Sequence, residues 1–153
     1  MKKIIILLFA ILLITGCSSN KELNEFTTNS FYDAATKYDL EVTSNVENYL
    51  DIEKYADAHI AKKDNKINIE LVKYTSEENA EEIVKSHIRS FNMLKSTGAS
   101  EINETGKNYH KYVLVSNNYY MVSIRINESV LFCKTKIDNK ETVENVLKEL
   151  DLL

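Results

Sequence analysis

The chain of 153 residues contains no proline, no tryptophan and only three glycines, at positions 16, 98 and 106. A phosphate-binding loop needs several closely spaced glycines, because only a residue without a Cβ atom lets the backbone approach the phosphates closely. The wide spacing of the three glycines therefore excludes a glycine-rich nucleotide loop. The chain also lacks the proline-, serine- or glycine-rich stretches that link domains, which favours a single domain.

The sequence patterns of common catalytic centres are absent as well. There is no G-x-S-x-G, H-E-x-x-H or C-x-x-C motif. The carboxylates concentrate in the first turns of predicted helices, where the helix dipole and solvation account for them, and no pair stands out as an acid–base couple. We therefore predict that the protein is not an enzyme and that it requires no cofactor.

Histidine and cysteine are scarce, and neither is spaced as in a metal site. We expect His87 to pack along one stripe of a long helix, His59 to face Glu70 across a hairpin, and His110 to be exposed at the start of a strand. Cys133 lies in an apolar segment, which favours a small buried side chain over a nucleophile. The sequence therefore predicts no metal ligands and no catalytic thiol.

The N-terminus has the order of an export signal. Lys2 and Lys3 precede an apolar run of eleven residues, Ile4–Ile14. A membrane-spanning helix needs about 20 apolar residues, so this run is the length of a signal-peptide core. The run closes with Ile14-Thr15-Gly16-Cys17, which resembles the bacterial lipobox, where small residues precede an invariant cysteine. An ordinary secretory signal, in which Cys17 is incidental, is the alternative.

The resemblance to lipoproteins implies that Cys17 receives a diacylglyceryl group after cleavage of residues 1–16. Two acyl chains anchor a protein stably. The implied location is the extracytoplasmic face of a cell membrane, and the abundance of Asn, Lys and Ile is typical of a low-GC Gram-positive bacterium.

We expect residues 17–25 to form a polar tether that leaves the orientation of the domain free, and residues 26–153 to form one domain. With Cys17 acylated, Cys133 has no partner for an intramolecular disulfide.

The charge of the chain limits its partners. The formal net charge is −4, and removal of Lys2 and Lys3 with the signal takes it to −6. An acidic domain is repelled by the phosphates of nucleic acid and of anionic lipid. Apart from the membrane reached through the lipid, we therefore expect a protein or a small apolar ligand as partner, and no nucleic acid.

Hydrophobic periodicity and turn residues predict the order of helices and strands. Capping boxes are expected at Thr75-x-x-Glu78 and Asp138-x-x-Glu141, and Asn29 or Ser30 is expected to cap the first helix. A two-residue turn at Asp64-Asn65 would place Ile60 opposite Ile69. The predicted elements are a helix at 30–38, a strand at 40–43, a loop at 44–54, a hairpin of 55–62 and 67–74, a helix at 76–96, an edge strand at 101–103, a meander of 109–116, 119–126 and 129–136, and a final helix.

This order predicts an α+β fold, with an antiparallel sheet of about five or six strands and helices packed on one face. Residues 55–85 and 119–148 both follow the order hairpin, capping box, amphipathic helix. The sequence therefore suggests an internal repeat, although any two hairpin–helix units would share that pattern.

The first two predicted strands of the meander, 109–116 and 119–126, are apolar on both faces. Val113, Val115, Val122 and Ile124 fill one face, and the other face carries Tyr112, Leu114 and Met121. Either the first helix or the 44–54 loop covers this second face, or it is an exposed patch that binds a partner. These three residues are the candidate interaction face.

We therefore predict a lipid-anchored extracytoplasmic binding or interaction domain. Three alternative functions are compatible with the sequence: a small-ligand carrier, a surface immunity or exclusion lipoprotein, and a metal-dependent enzyme or accessory factor.

Overall fold

The computed structural model describes residues 20–45, 47 and 54–153. The predicted signal peptide, Cys17 and most of the predicted 44–54 loop lie outside the described residues. The elements are α1 (Thr28–Thr36), β1 (Glu41–Ser44), β2 (Tyr55–Lys63), β3 (Ile67–Tyr74), α2 (Glu77–Asn92), β4 (Ser100–Thr105), β5 (Tyr109–Ser116), β6 (Tyr119–Ile126), β7 (Ser129–Lys136) and α3 (Lys140–Glu149). None of the described helices is both long and apolar enough to span a membrane.

The strands form one antiparallel sheet in the order β1-β2-β3-β7-β6-β5-β4. The α+β class and the antiparallel sheet are confirmed, and the sheet has seven strands because short edge strands add to both sides. Turns 64–66 and 117–118 lie at one end of the sheet. We call it the far end, because it lies away from the cleft described below. Turns 106–108 and 127–128 lie at the opposite end.

The helices lie on both faces of the sheet, not on one as predicted. Successive residues of a strand point to opposite faces. Val122 and Ile124 of β6 share a buried cluster with α1 and α3, whereas Met121 shares one with Phe91 of α2. The central strands are apolar on both faces, so each face needs a helical layer to exclude water.

The candidate interaction face is buried beneath α2. The side chains of Tyr112, Leu114 and Met121 are 0% exposed, and they pack against Phe91. The Tyr112 hydroxyl donates a hydrogen bond to Asn92 Oδ1 at 2.9 Å. The interpretation of this face as an exposed patch is therefore wrong, and the element that covers it is α2, not the first helix or the 44–54 loop.

Asparagine and aspartate form the tight turns. Asn117 and Asn118 have φ values of 49° and 65°. They form a two-residue turn, which places Leu114 opposite Met121 as predicted. These residue types tolerate the left-handed region better than other non-glycine residues do.

The register of the β2–β3 hairpin differs from the prediction by one residue. Three residues, not two, separate the paired Lys63 and Ile67. Ile60 therefore lies opposite Glu70, and Ala61 lies opposite Ile69. A shift of one residue reverses which face each side chain occupies.

The helix caps also differ from the predictions. Thr27 caps α1 and exchanges hydrogen bonds with Ser30, so neither Asn29 nor Ser30 is the cap. Ser76, not Thr75, caps α2 by accepting a hydrogen bond from the Asn79 backbone. A short 3-10 turn precedes α3, whose first turn has no side-chain cap. Several neighbouring Ser, Thr and Asn residues can cap, and the path of the backbone selects among them.

The two hairpin–helix units are not related by rotation in space. Strands β3 and β7 are antiparallel neighbours, so a rotation that superposed the two hairpins would keep both helices on the same face. Helices α2 and α3 pack on opposite faces. The shared sequence pattern therefore does not correspond to a structural repeat.

Because Met121 is fully buried, we predict that Met121→Glu strongly destabilises the fold. A carboxylate there would lack a partner beneath α2, which costs roughly several kcal/mol of the free energy of unfolding. The matched control is Met93→Glu, since Met93 is 81% exposed at the end of α2, and its effect should stay within about 0.5 kcal/mol. Urea unfolding gives the free energy of unfolding of both variants. Equal values for the two would contradict the burial of this face.

The side chain of His87 points from α2 onto the sheet and is packed there, as the sequence predicted. Its ring lies 4.3 Å from that of Phe132, and Nδ1 is 2.9 Å from Ser123 Oγ. Burial lowers the pKa of His87 to about 4 from an ordinary value of 6.5. Between these two pH values the unfolded chain binds a proton that the folded chain does not bind, so the folded state loses stability as the pH falls.

We expect His87→Gln to flatten the dependence of stability on pH. The histidine should contribute a loss of about 3 kcal/mol as the pH falls from 7 to 4. Urea unfolding of both proteins across this range gives the difference directly. Parallel curves for wild type and variant would show that His87 is not held neutral in the fold.

Candidate functional site

A polar cleft of about 410 Å³ lies on the face of the sheet that α1 and α3 cover. It is near the end that carries turns 106–108 and 127–128, which we call the cleft end. Residues 21–27, the crossing segment, run over this end of the sheet from β5 to β2. The lining residues are Glu25, Phe26, Thr27, Thr28, Asn29, Asp57, His59, Leu71, Lys73 and Ser129.

The crossing segment is bound to the domain, so the prediction of a polar tether over residues 17–25 is wrong for residues 21–25, whereas residues 17–19 lie outside the described residues. The carbonyl of Lys21 accepts a hydrogen bond from the Lys107 backbone at 3.1 Å. Asn108 bonds both backbone groups of Leu23, at 3.0 and 2.9 Å. Phe26 is only 6% exposed, in the same cluster as α1. The domain therefore begins at least five residues before position 26.

Gly106 lets the crossing segment approach the sheet. A Cβ atom at this position would collide with the ring of Tyr109 and with the carbonyl oxygen of Lys21. The Gly106 amide donates to the carbonyl of Tyr109 at 3.0 Å. A residue without a side chain is therefore needed where the segment meets the β4–β5 turn.

Three neighbouring strands supply polar side chains to the floor of the cleft. Asp57 of β2 pairs with Lys73 of β3, which pairs with Ser129 of β7. Paired residues of adjacent strands share a face, so all three side chains point toward the crossing segment. The wall opposite them begins with Thr27 and the first turn of α1.

His59 is held on both ring nitrogens. Nε2 lies 2.8 Å from Asp57 Oδ2, and Nδ1 lies 3.4 Å from the Tyr32 hydroxyl. The Tyr32 ring meets the imidazole edge-on, with centroids 5.4 Å apart. The His59 side chain is 11% exposed, and it lies opposite Leu71 rather than opposite Glu70 as predicted. The ring is therefore fixed in position where it borders the cleft.

Both signs of charge meet in the cleft. Glu25 Oε1 accepts a hydrogen bond from Ser129 Oγ at 3.3 Å and lies 3.9 Å from Lys73 Nζ. Asp57 accepts from the Thr28 hydroxyl at 3.4 Å as well as from its own strand. The cleft thus presents donors and acceptors side by side, an arrangement suited to holding a polar molecule.

The structure does not bring the three histidines together. His110 lies on the opposite face of the sheet, with Nε2 2.8 Å from Asn103 Oδ1, and burial lowers its pKa. It is half-buried, not exposed as predicted. In the ranges 20–45 and 54–153 no three His, Cys, Asp or Glu side chains are arranged to hold a metal ion. Cys133 is buried as predicted, and burial raises its pKa to about 12.

Sequence reasoning missed the cleft, although one signal was present. Asp57 and His59 alternate along a strand, so they share a face whatever the register. The crossing segment offered no comparable signal, because it has neither helical nor strand periodicity.

The comparisons with known proteins assign this chain to no family. A crystal structure of a GTP-binding regulator from Thermotoga maritima is similar at 18% sequence identity, over 84% of this chain and 91% of that chain, with a TM-score of 0.45. A likeness at this level carries no argument about activity. No model of a known protein family matches the chain, and no curated protein matches it.

Proposed function

We propose that the protein is a lipid-anchored extracytoplasmic binding protein whose cleft holds a small polar ligand. The anchor is supported by the sequence Ile14-Thr15-Gly16-Cys17 after an apolar core too short to span a membrane. The binding site is supported by the convergence of charged and hydroxyl groups in the cleft.

The fixed position of His59 is the observation that carries the binding site. A histidine with both ring nitrogens engaged gives the floor of the cleft a rigid border, so a ligand does not have to order that side chain when it binds. Glu25, Asp57 and Lys73 then offer charges of both signs within the same cleft. This chemistry favours a polar ligand, in place of the apolar ligand expected from the sequence.

The small-ligand interpretation is favoured over a protein-docking face by the burial of the candidate interaction face. Tyr112, Leu114 and Met121 are inaccessible beneath α2. The described residues have few exposed large apolar side chains, and Met93, Ile102 and Leu153 belong to different elements or ends of the chain. Scattered apolar residues of this kind do not make an interaction patch.

We predict that Cys17→Ala abolishes lipid attachment. Cells that express the wild-type chain should incorporate labelled palmitate into it and retain it in the membrane fraction. The variant should remain unlabelled, because the thiol that accepts the lipid is gone. Ser19→Ala is the matched control and should behave as the wild type. A wild-type chain that never takes up the label would refute the anchor.

A second prediction concerns the cleft. Amino acids, dicarboxylates, monosaccharides and short polyamines are each added to the full chain, and the melting temperature is measured by scanning calorimetry. A ligand at about 100 times its Kd stabilises a protein by about 2.7 kcal/mol, so the melting temperature should rise by several degrees.

The cleft is tested with one variant and one control. Asp57→Asn keeps the shape of the side chain and removes its charge, so it should weaken the response. Ser86→Ala lies on α2, away from the cleft, and should respond as the wild type does. A response that survives in Asp57→Asn and is lost in Ser86→Ala would place the binding site elsewhere.

A further inference from the structure

We propose that the cleft end of the domain faces the lipid bilayer, so that the surface formed by residues 20–23 and the turns 106–108 and 127–128 lies against the lipid headgroups. This inference rests on the proposed lipid anchor at Cys17. It replaces the expectation that a flexible tether leaves the orientation of the domain free.

The length of chain between Cys17 and the first residue that is bound to the domain limits how far the domain can lie from the membrane. Cys17 precedes Lys21 by four residues, and four residues span at most ~14 Å when fully extended. The Lys21 carbonyl is bonded to the backbone of Lys107, in the β4–β5 turn. Lys21 therefore lies within ~14 Å of the lipidated residue, and the β4–β5 turn is one hydrogen bond further away.

The crossing segment does not separate easily from the domain. Leu23 is held through both backbone groups by Asn108. Phe26, three residues further along, is almost fully buried. Lengthening the tether by releasing these residues would break the bonds to Asn108 and expose the Phe26 ring to water, so the short reach from Cys17 is maintained.

The direction of the strands then orients the whole domain. The turns at the cleft end and at the far end are separated by strands of eight residues, such as β5 and β6. At about 3.3 Å per residue, the two ends are ~25 Å apart. With the cleft end held close to the membrane, turns 64–66 and 117–118 point away from it.

The charges at the cleft end are compatible with a lipid surface. The whole chain is acidic, with a net charge of −4, and an acidic surface is repelled by anionic headgroups. Along the crossing segment, however, Glu22 pairs with Lys107, and Glu25 lies near Lys73. Lys21 of the crossing segment has the opposite charge to Glu128 of the 127–128 turn, so acidic and basic side chains are equal in number on this surface.

The orientation has a consequence for the cleft. Glu25, Lys73 and Ser129 line the cleft and belong to the end of the sheet near the anchor. A ligand would therefore be taken up close to the plane of the membrane, not from the side of the domain that faces away from it.

The test places one fluorescent label at each end of the lipidated chain. Glu128→Cys puts a thiol in a cleft-end turn, and Lys66→Cys puts one in a far-end turn. The native Cys133 is buried and does not compete for the label. Each labelled protein is added to vesicles of equal parts phosphatidylglycerol and phosphatidylethanolamine that contain a headgroup spin-labelled lipid, which quenches nearby fluorescence.

We expect several-fold stronger quenching of the label at position 128 than of the label at position 66. Equal quenching of the two labels in protein that floats with the vesicles would overturn the orientation and leave the anchor intact. Protein that does not float with the vesicles would instead refute the anchor, and with it the proposed function.

A lengthened tether separates orientation from simple attachment. Insertion of a flexible Gly-Ser segment between Ser19 and Asn20 keeps Cys17 and the fold but lets the domain turn freely. The difference between the two labels should then disappear, while flotation is unchanged. A difference that persists with the long tether would show that the reach from Cys17 does not set the orientation.

Discussion

Strand β6 is buried on both of its faces, and this constraint determines how the rest of the chain is arranged. Its residues from Tyr120 to Ile126 are all at most 9% exposed, including Ser123 and Arg125. A strand of this kind cannot lie at an edge or face water on one side, so it needs a strand on each side and a helical layer above and below. Helix α2 forms one layer, and α1 with α3 forms the other. The crossing segment completes the second layer at the cleft end.

The meander and its boundaries could be predicted from the sequence, because local chemistry determines them. Strands β5, β6 and β7 have the predicted bounds, since Asn117 and Asn127 adopt the left-handed backbone that two-residue turns require. The face chosen by each helix could not be predicted. An amphipathic helix such as α2 has one apolar stripe, and either face of a doubly apolar sheet would bury it.

The cleft depends on contacts between residues that are distant in sequence. Asn108 and Leu23 are 85 positions apart, and neither belongs to a pattern that predicts the other. The one-residue difference in the β2–β3 register had a similar effect, because it moved His59 away from Glu70 and onto the face with Tyr32. Hydrophobic patterns predict which strands are buried, but they do not predict where a segment without periodicity will bind.

Every non-glycine residue with positive φ in the described part of the chain is an asparagine or an aspartate: Asp39, Asp64, Asn65, Asn117, Asn118, Asn127 and Asp151. Codons for these two amino acids differ by a single base, and both tolerate the left-handed backbone. A mutation from Asn65 to Asp, or from Asp64 to Asn, therefore changes the charge by one unit and leaves the turn intact. The charge at the ends of the sheet can thus drift during evolution independently of the fold, so related chains could acquire surfaces of different polarity on the same scaffold.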